Sequence, residues 1–195
     1  MRQPYRLGLT GSIGMGKSTT AGFFRDMGVP VWDADAAVHR LYGKDGAAVG
    51  PVTALCPEAL RDGAIDRAEL KRWIAHDPTA LAALESVVHP LVAQDREAFV
   101  ASVSGPLVVL DIPLLFEVGA QVDGVLVVTA PENVQRARVL DRPDMNEAQL
   151  DAILARQMPD AEKRARADFV IETTDMDSTR AAVQKLVRRL EAEHA

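Results

Sequence analysis

An α/β fold, with one five-stranded parallel sheet and helices on both of its faces, is what the sequence predicts, and three observations predict it. Five short runs of aliphatic and β-branched residues show no polar alternation, the mark of strands buried on both sides. Stretches of helical periodicity separate them, which puts helices in the crossovers. The first run leads at once into a glycine-rich loop and then a helical pattern. At 195 residues and 48% apolar content, the chain can bury one core with a subdomain set into it.

Tyr5-Arg6-Leu7-Gly8-Leu9-Thr10 reads as the first strand. After it, Gly11-Ser12-Ile13-Gly14-Met15-Gly16-Lys17-Ser18 fits G-x-x-x-x-G-K-[ST], and Thr19 to Met27 can wind as a helix that buries Phe23 and Phe24. Glycines at 11, 14 and 16 permit backbone angles and close approaches that a Cβ forbids, so successive N–H groups can converge on a phosphate chain at a helix N-terminus. Lys17 adds a mobile point charge for β- and γ-phosphates, and the Ser18 hydroxyl can ligate Mg²⁺. The rival reading, a glycine-rich turn that binds nothing, leaves the Lys-Ser pair and both flanking elements without a purpose.

The second strand, Val29-Pro30-Val31-Trp32, ends at Asp33, and a helix follows over Ala34 to Tyr42. From Gly46 to Ser104 only helices are expected. Asp66-x-x-Glu69 is a capping-box pattern opening a helix that turns Leu70, Trp73 and Ile74 to one side, and Asp77-Pro78 ends it. Further helices are expected over Ala80 to Val88 and Pro90 to Val103. Leu107 to Leu110 is the third strand and ends at Asp111; Val125 to Val128 is the fourth. Pro131 then opens a helix over Glu132 to Leu140. Arg142 to Arg166 is polar and strand-free, with Leu150, Ile153, Leu154 and Met158 as an apolar stripe that docks a short helix. Phe169-Val170-Ile171 is the fifth strand. The last helix carries Val183, Leu186, Val187 and Leu190 inward, with Lys185, Arg188 and Arg189 outward. The expected organisation is a single domain: core 1–43, 105–141 and 167–195, a helical insertion at about 44–104, and a lid at about 142–166.

Ligands of open parallel sheets gather beyond the carboxyl ends of the strands. The glycine loop, Asp33 and Asp111 follow three different strands, so three separate pieces of sequence bring polar groups to one edge. Asp33 and Asp35 flank the start of a helix, where either can act as N-cap. Asp33, first after its strand, is assigned the functional role. Asp111 has the position of a Walker-B acid, able to hold Mg²⁺ directly or through water. Arg138 and Arg142 share a face if their helix continues that far, and they lead into a segment that could close over the loop. Such closure would keep water from the γ-phosphoryl group while guanidinium groups stabilise its oxygens. His89-Pro90 lies within the insertion; a His there can cap, face solvent or hydrogen-bond a phosphate.

Composition narrows the partners. A net charge of −6 argues against general nucleic-acid affinity. No apolar run nears the ~18 residues of a spanning helix, and the first residues do not resemble a signal peptide. Cys56, the single cysteine, has no internal disulfide partner, and zinc-spaced clusters are missing. A cytoplasmic protein, monomeric or a small homo-oligomer, is expected.

The ordered set Leu9 to Ser18, Asp33-Ala34-Asp35, His89-Pro90, Asp111-Ile112-Pro113-Leu114-Leu115-Phe116-Glu117, Arg138-x-x-x-Arg142, Arg156-Gln157 and Lys163-Arg164-x-x-Ala167-Asp168 resembles the dephospho-coenzyme A kinases nearly end to end. The glycine loop is shared by many nucleotide-binding proteins; Pro-Leu-Leu-Phe-Glu together with Asp-Ala-Asp is far more selective. The resemblance implies a three-layer P-loop kinase fold and transfer of the ATP γ-phosphoryl to the ribose 3′-hydroxyl of dephospho-coenzyme A, with Mg²⁺. It implies that Gly11, Ile13, Gly14, Met15, Gly16, Lys17, Ser18 and Thr19 bind ATP, and that Asp33, Lys17 and Arg142 are catalytic. Asp33, His89 and Leu114 would meet the acceptor, and Ser18 and Asp111 the metal. The chain departs from the family with Ser12 for a usual glycine, Met15 for a usual serine, and Glu172-Thr173-Thr174-Asp175 where an asparagine-containing turn is common. Two rivals remain: a kinase for another small acceptor, and a nucleotide switch. The chain lacks the Asn-Lys-x-Asp guanine-reading motif of one switch class, and a switch needs no arginine lid.

Overall fold

The computed structural model describes residues 3–195. Five strands form one sheet in the order β2-β5-β1-β6-β7: β1 (Tyr5–Thr10), β2 (Val31–Asp33), β5 (Leu107–Asp111), β6 (Gly124–Thr129) and β7 (Phe169–Glu172). β1 runs parallel to β5 and β6, and β6 parallel to β7, with Leu9 opposite Asp111 on one side and Leu126 on the other. The carboxyl ends of β1 and β5 therefore lie side by side, which is what carries the glycine loop next to Asp111.

Residues up to Trp32 together with Val103–Ala195 make one compact unit, and Asp33–Ser102 makes a second. In the first, one face of the sheet sets Leu7, Leu9, Leu107, Val109, Leu126, Val128 and Ile171 against Phe23 and Phe24 of α1 (Lys17–Asp26). The same cluster takes Val183, Leu186, Val187 and Leu190 of α10 (Met176–His194), at the spacing the sequence showed. The alternate strand residues Val108, Leu110 and Val127 are buried as well. Both faces are covered, which is why these runs lack polar alternation. Between β5 and β7 the chain forms α6 (Leu115–Val118), α7 (Glu132–Leu140), α8 (Glu147–Leu154) and α9 (Asp160–Ala165).

The second unit has its own core. Leu41 and Tyr42 of α2 (Ala34–Tyr42) and Val52 of α3 (Val49–Leu55) meet Leu70 of α4 (Arg67–His76) and Leu84 and Val88 of α5 (Ala80–Ser102). Three expectations are corrected here. The region is not purely helical: a 3₁₀ turn at Pro57–Ala59 leads into an antiparallel hairpin of β3 (Leu60–Arg61) and β4 (Ala64–Ile65). Asp62 and Gly63, at φ 50° and 83°, make its turn. The two helices expected on either side of His89 are one helix of 23 residues with Pro90 inside it. Pro90 is exposed, while Leu84 and Val88 before it are buried and Leu91 and Val92 after it pack against the same core, so packing holds the helix through its missing hydrogen bond. Finally, Asp66 caps α4 through the Ala68 N–H at 2.7 Å, but Glu69 does not complete a capping box and instead pairs with Arg61 at 3.1 Å and with Arg72.

Candidate active site

The glycine loop is fixed between two buried anchors. Leu9 and Thr10 are fully buried at the end of β1, and α1 starts at Lys17 with Gly16 as its N-cap. Gly14 and Gly16 have φ of 78° and 80°, where an L side chain is strained. The space is closed too. A Cβ on Gly14 would stand 2.6 Å from Val139 and 3.0 Å from the Gln135 carbonyl, and one on Gly16 would stand 2.8 Å from Thr173 Oγ1. Glycine thus lets the loop lie against α7 and against the turn after β7.

Polar contacts hold it there. Gln135 of α7, 5% exposed, donates from Nε2 to the Ile13 carbonyl at 2.7 Å. The Ile13 N–H donates to Oε1 of Gln157 at 3.3 Å. The Thr173 hydroxyl donates to the Met15 carbonyl at 2.9 Å and accepts from Arg138 at 3.1 Å; Arg138 also donates to the Thr173 carbonyl. Met15 is buried and its thioether accepts the Ala130 N–H at 3.0 Å, so this methionine serves as a plug under the loop. Beyond these contacts, the loop leads into the first N–H groups of α1 from Lys17 onward, which no helix satisfies internally. Their partial positive charge invites an anion.

Lys17 Nζ lies 2.5 Å from Oδ1 of Asp111, which is 2% exposed at the end of β5. Ser18 and Thr19 are exposed on the first turn of α1. Asp111 and Ser18 are hard oxygen donors of the kind Mg²⁺ takes. Among the described residues no group of three or more His, Cys, Asp or Glu could hold a metal unaided. This donor set fits an ion that keeps waters and phosphate oxygens as its other ligands.

The other expected residues fall as follows. Asp33 is the N-cap of α2, its Oδ1 accepting the Ala36 N–H at 2.9 Å, while Asp35 is exposed in the first turn. The capping role thus belongs to the carboxylate assigned a function. His89 is exposed on α5 of the second unit. Leu114, 41% exposed, stands at the N-cap of α6. α7 stops at Leu140, so Arg138 and Arg142 do not share the face of one continuous helix. Arg138 is committed to Thr173, whereas Arg142 is exposed, with its N–H turned to the Val139 carbonyl at 3.1 Å.

The segment after Arg142 holds a buried cation. Lys163 is fully buried with no hydrogen-bond partner for Nζ. Burial lowers its pKa below the usual lysine range, against the opposing pull of Glu117 and Asp160. Asp160 accepts the Thr129 hydroxyl at 2.9 Å and Arg164 Nε at 3.1 Å through Oδ2, while its Oδ1 is buried without a partner. Glu117 accepts the Met158 N–H at 3.1 Å. A cavity of about 590 Å³ opens beside the loop, with Ser12, Met15, Gln135, Met158 and Asp160 in its wall. A larger one, about 900 Å³, lies among Tyr5, Arg6, Asp123, Val125 and His194, at the amino ends of β1 and β6 and away from the loop.

Sequence reasoning missed Gln135, Thr173 and Gln157 as parts of the loop's support. A polar Gln135 four residues before buried Val139 was the one local signal for the first. The other two act across 158 and 144 residues of chain and leave no local pattern.

Comparison with known proteins places the chain. A family profile described as dephospho-CoA kinase matches residues 5–178. A dephospho-CoA kinase of Cereibacter sphaeroides is 63% identical over 190 residues, covering 96% of each chain. One from Jannaschia is 59% identical over 189 residues, covering 95% of this chain and 97% of the relative. Among solved structures, a Thermus thermophilus protein superposes with a TM-score of 0.86 at 38% identity, covering 96% of this chain and 98% of that one. A shikimate kinase of Bacteroides thetaiotaomicron, at 19% identity, TM-score 0.51 and coverage of 96% and 98%, shares the fold.

Proposed function

The chain belongs to the dephospho-coenzyme A kinase family, and on that footing we propose how its residues divide the work. The reaction is transfer of the γ-phosphoryl of ATP to the ribose 3′-hydroxyl of dephospho-coenzyme A, the last step of coenzyme A synthesis. The observation that carries this is the family match over residues 5–178, which takes in the glycine loop, Asp33 and the whole segment to β7.

In this reading the amides of Gly11, Ile13, Gly14, Met15 and Gly16, with those of Lys17, Ser18 and Thr19 at the start of α1, hold the phosphates of ATP. Lys17 leaves Asp111 for the β- and γ-oxygens, a stronger partner because they carry more charge. Ser18 and Asp111 hold Mg²⁺, which supplies charge neutralisation on the phosphate oxygens. A secondary alcohol is a weak nucleophile, and Asp33 accepts its proton as the bond to phosphorus forms. Residues at about 44–104 hold the acceptor, with His89 and Leu114 in contact with it. The segment at about 142–166 closes as a lid, excluding water and bringing Arg142 to the transferred group. Arg138, fixed by Thr173, supports the loop from below. Among the described residues no helix is long and apolar enough to cross a membrane. A cytoplasmic enzyme acting as a monomer or small homo-oligomer completes the reading.

The test is to incubate the protein with Mg²⁺, ATP and a panel of alcohol acceptors, and to follow ADP release and the mass of each acceptor. Dephospho-coenzyme A should gain one phosphate and the others should not. Equal turnover of a nucleoside or sugar acceptor would point to a different small-molecule kinase; slow hydrolysis indifferent to the panel would point to a switch. Asp33→Asn should then lower kcat by ~10²–10⁴-fold, the span for loss of a general base, with ATP still bound. A variant within a few-fold of the parent would leave Asp33 as a helix cap alone.

A further inference from the structure

Gln157 sits in the turn after α8, its N–H bonded to the Leu154 carbonyl at 3.2 Å, and its side chain reaches back to the glycine loop. There its amide oxygen takes the Ile13 N–H at 3.3 Å. The same residue of the loop is gripped through its carbonyl by buried Gln135 at 2.7 Å. Both contacts are part-buried, and one is short and made by the core helix α7. The other is long and made by the segment that carries Arg142 and Arg156.

We propose that Gln157 is a positioning residue that fills the Ile13 N–H while the loop holds no nucleotide and yields it to a phosphoryl oxygen when the nucleotide enters. The proposal rests on the reading of the loop as a phosphate cradle. A glutamine oxygen is a neutral acceptor, and a phosphoryl oxygen forms a charge-assisted bond about twice as strong to the same donor. The exchange therefore runs toward phosphate, and because Gln135 keeps its hold on Ile13, only Gln157 is released. That release links the arrival of nucleotide to the freedom of residues 142–166. A ligand that must break a native contact binds more weakly by the worth of that contact. Gln157 thus lowers nucleotide affinity while keeping the empty loop in shape and its lid segment seated.

A residue that merely packs the α8–α9 turn predicts the opposite sign, so binding decides. In Gln157→Ala the Kd for ATP with Mg²⁺, measured by calorimetry without acceptor, should fall roughly 2- to 10-fold, the range of one net hydrogen bond. In Gln157→Glu it should rise at least about tenfold, since a carboxylate holds the N–H more strongly and repels the incoming phosphates. Amide exchange followed by NMR should show Ile13 less protected in Gln157→Ala than in the parent without nucleotide, and equally protected with it. An unchanged or raised Kd in Gln157→Ala, or equal protection of Ile13 in the two empty proteins, would overturn the proposal. Lys17→Ala separates this from a failure of the cradle reading. If it leaves the ATP Kd unchanged, the cradle itself is wrong. If it weakens binding while Gln157→Ala does not tighten it, only the role of Gln157 falls.

Discussion

Two stretches of the first unit face the same task and are built in opposite ways. Residues 11–18 present main-chain groups and one lysine, and three of them are held by buried partners: Thr173 and Ala130 hold Met15, Gln135 holds Ile13, and Asp111 holds Lys17. Residues 142–166 present side chains. Their arginines are exposed, and their ion pairs lie at the surface, as with Arg136 to Asp151 at 3.1 Å and to Glu147, or Arg166 to Glu162. Pairs of that kind contribute about 0–1 kcal/mol each. Only Leu150 and Lys163 are buried. The loop is fixed by buried contacts, and the segment is tied down mainly at its surface. The proposed phosphoryl transfer would draw on both, since positioning needs rigidity and the lid reading needs a segment free to close.

Within these two stretches, the largest effect should come where the loop's single charge is removed. Lys17→Ala should lower kcat by roughly 10²–10³-fold, the range for deleting a preorganised donor at developing charge, and weaken ATP binding as well. It also leaves Asp111 buried without its cation partner. Steady-state kinetics with ATP varied checks both effects. A variant that turned over normally would mean that rigidity at this loop serves folding alone.

Gly16→Ala tests the main-chain half of the contrast. Left-handed backbone costs an alanine about 1–2 kcal/mol, and its Cβ would press on Thr173, which carries both the Met15 and the Arg138 contacts. Thermal melts should show a loss of roughly 2–8 °C, with weaker ATP binding. Gly22→Ala is the control. It lies in α1 with no atom within 4 Å of the new Cβ, so it should leave stability equal or raised. If both variants behaved alike, the loop's closed packing would not be what fixes its shape.

The same contrast explains what could be read from the sequence. The strands, α1, α2, α7 and α10, the loop, and Asp111 at a strand end all express themselves through spacing or hydrophobic runs, so local pattern reveals them. The β3–β4 hairpin escaped because each strand has two residues, too few for alternation, although Asp62-Gly63 was a turn signal in plain view. α5 was divided at Pro90 by a local rule that tertiary packing overrode. Thr173, Gln157 and Lys163 matter through partners far along the chain or through burial alone. Lys163 in particular sits in a polar stretch where a solvated lysine is the ordinary expectation.

The smallest expected effect is at that lysine, and it probes whether residues 142–166 hold anything tightly. Burial lowers the Lys163 pKa in the folded state below its unfolded value, so between the two the unfolded chain binds more protons and stability rises with pH. Below the folded pKa the burial penalty is present in full; above the unfolded one, near the model-peptide value of about 10.4, it is gone. Lys163→Met keeps the volume and removes the charge. Its Tm at pH 7 should equal or exceed the parent's, by roughly 2–4 °C if the penalty is about 1 kcal/mol, and the two proteins should converge as pH rises toward 10. Melts at pH 7 and pH 9.5 suffice. A variant several degrees less stable at pH 7 would mean that Glu117 and Asp160 stabilise the ammonium by more than burial costs it. The segment would then be anchored through Lys163 as firmly as the loop is through Thr173, and the contrast between the two stretches would narrow to their surfaces.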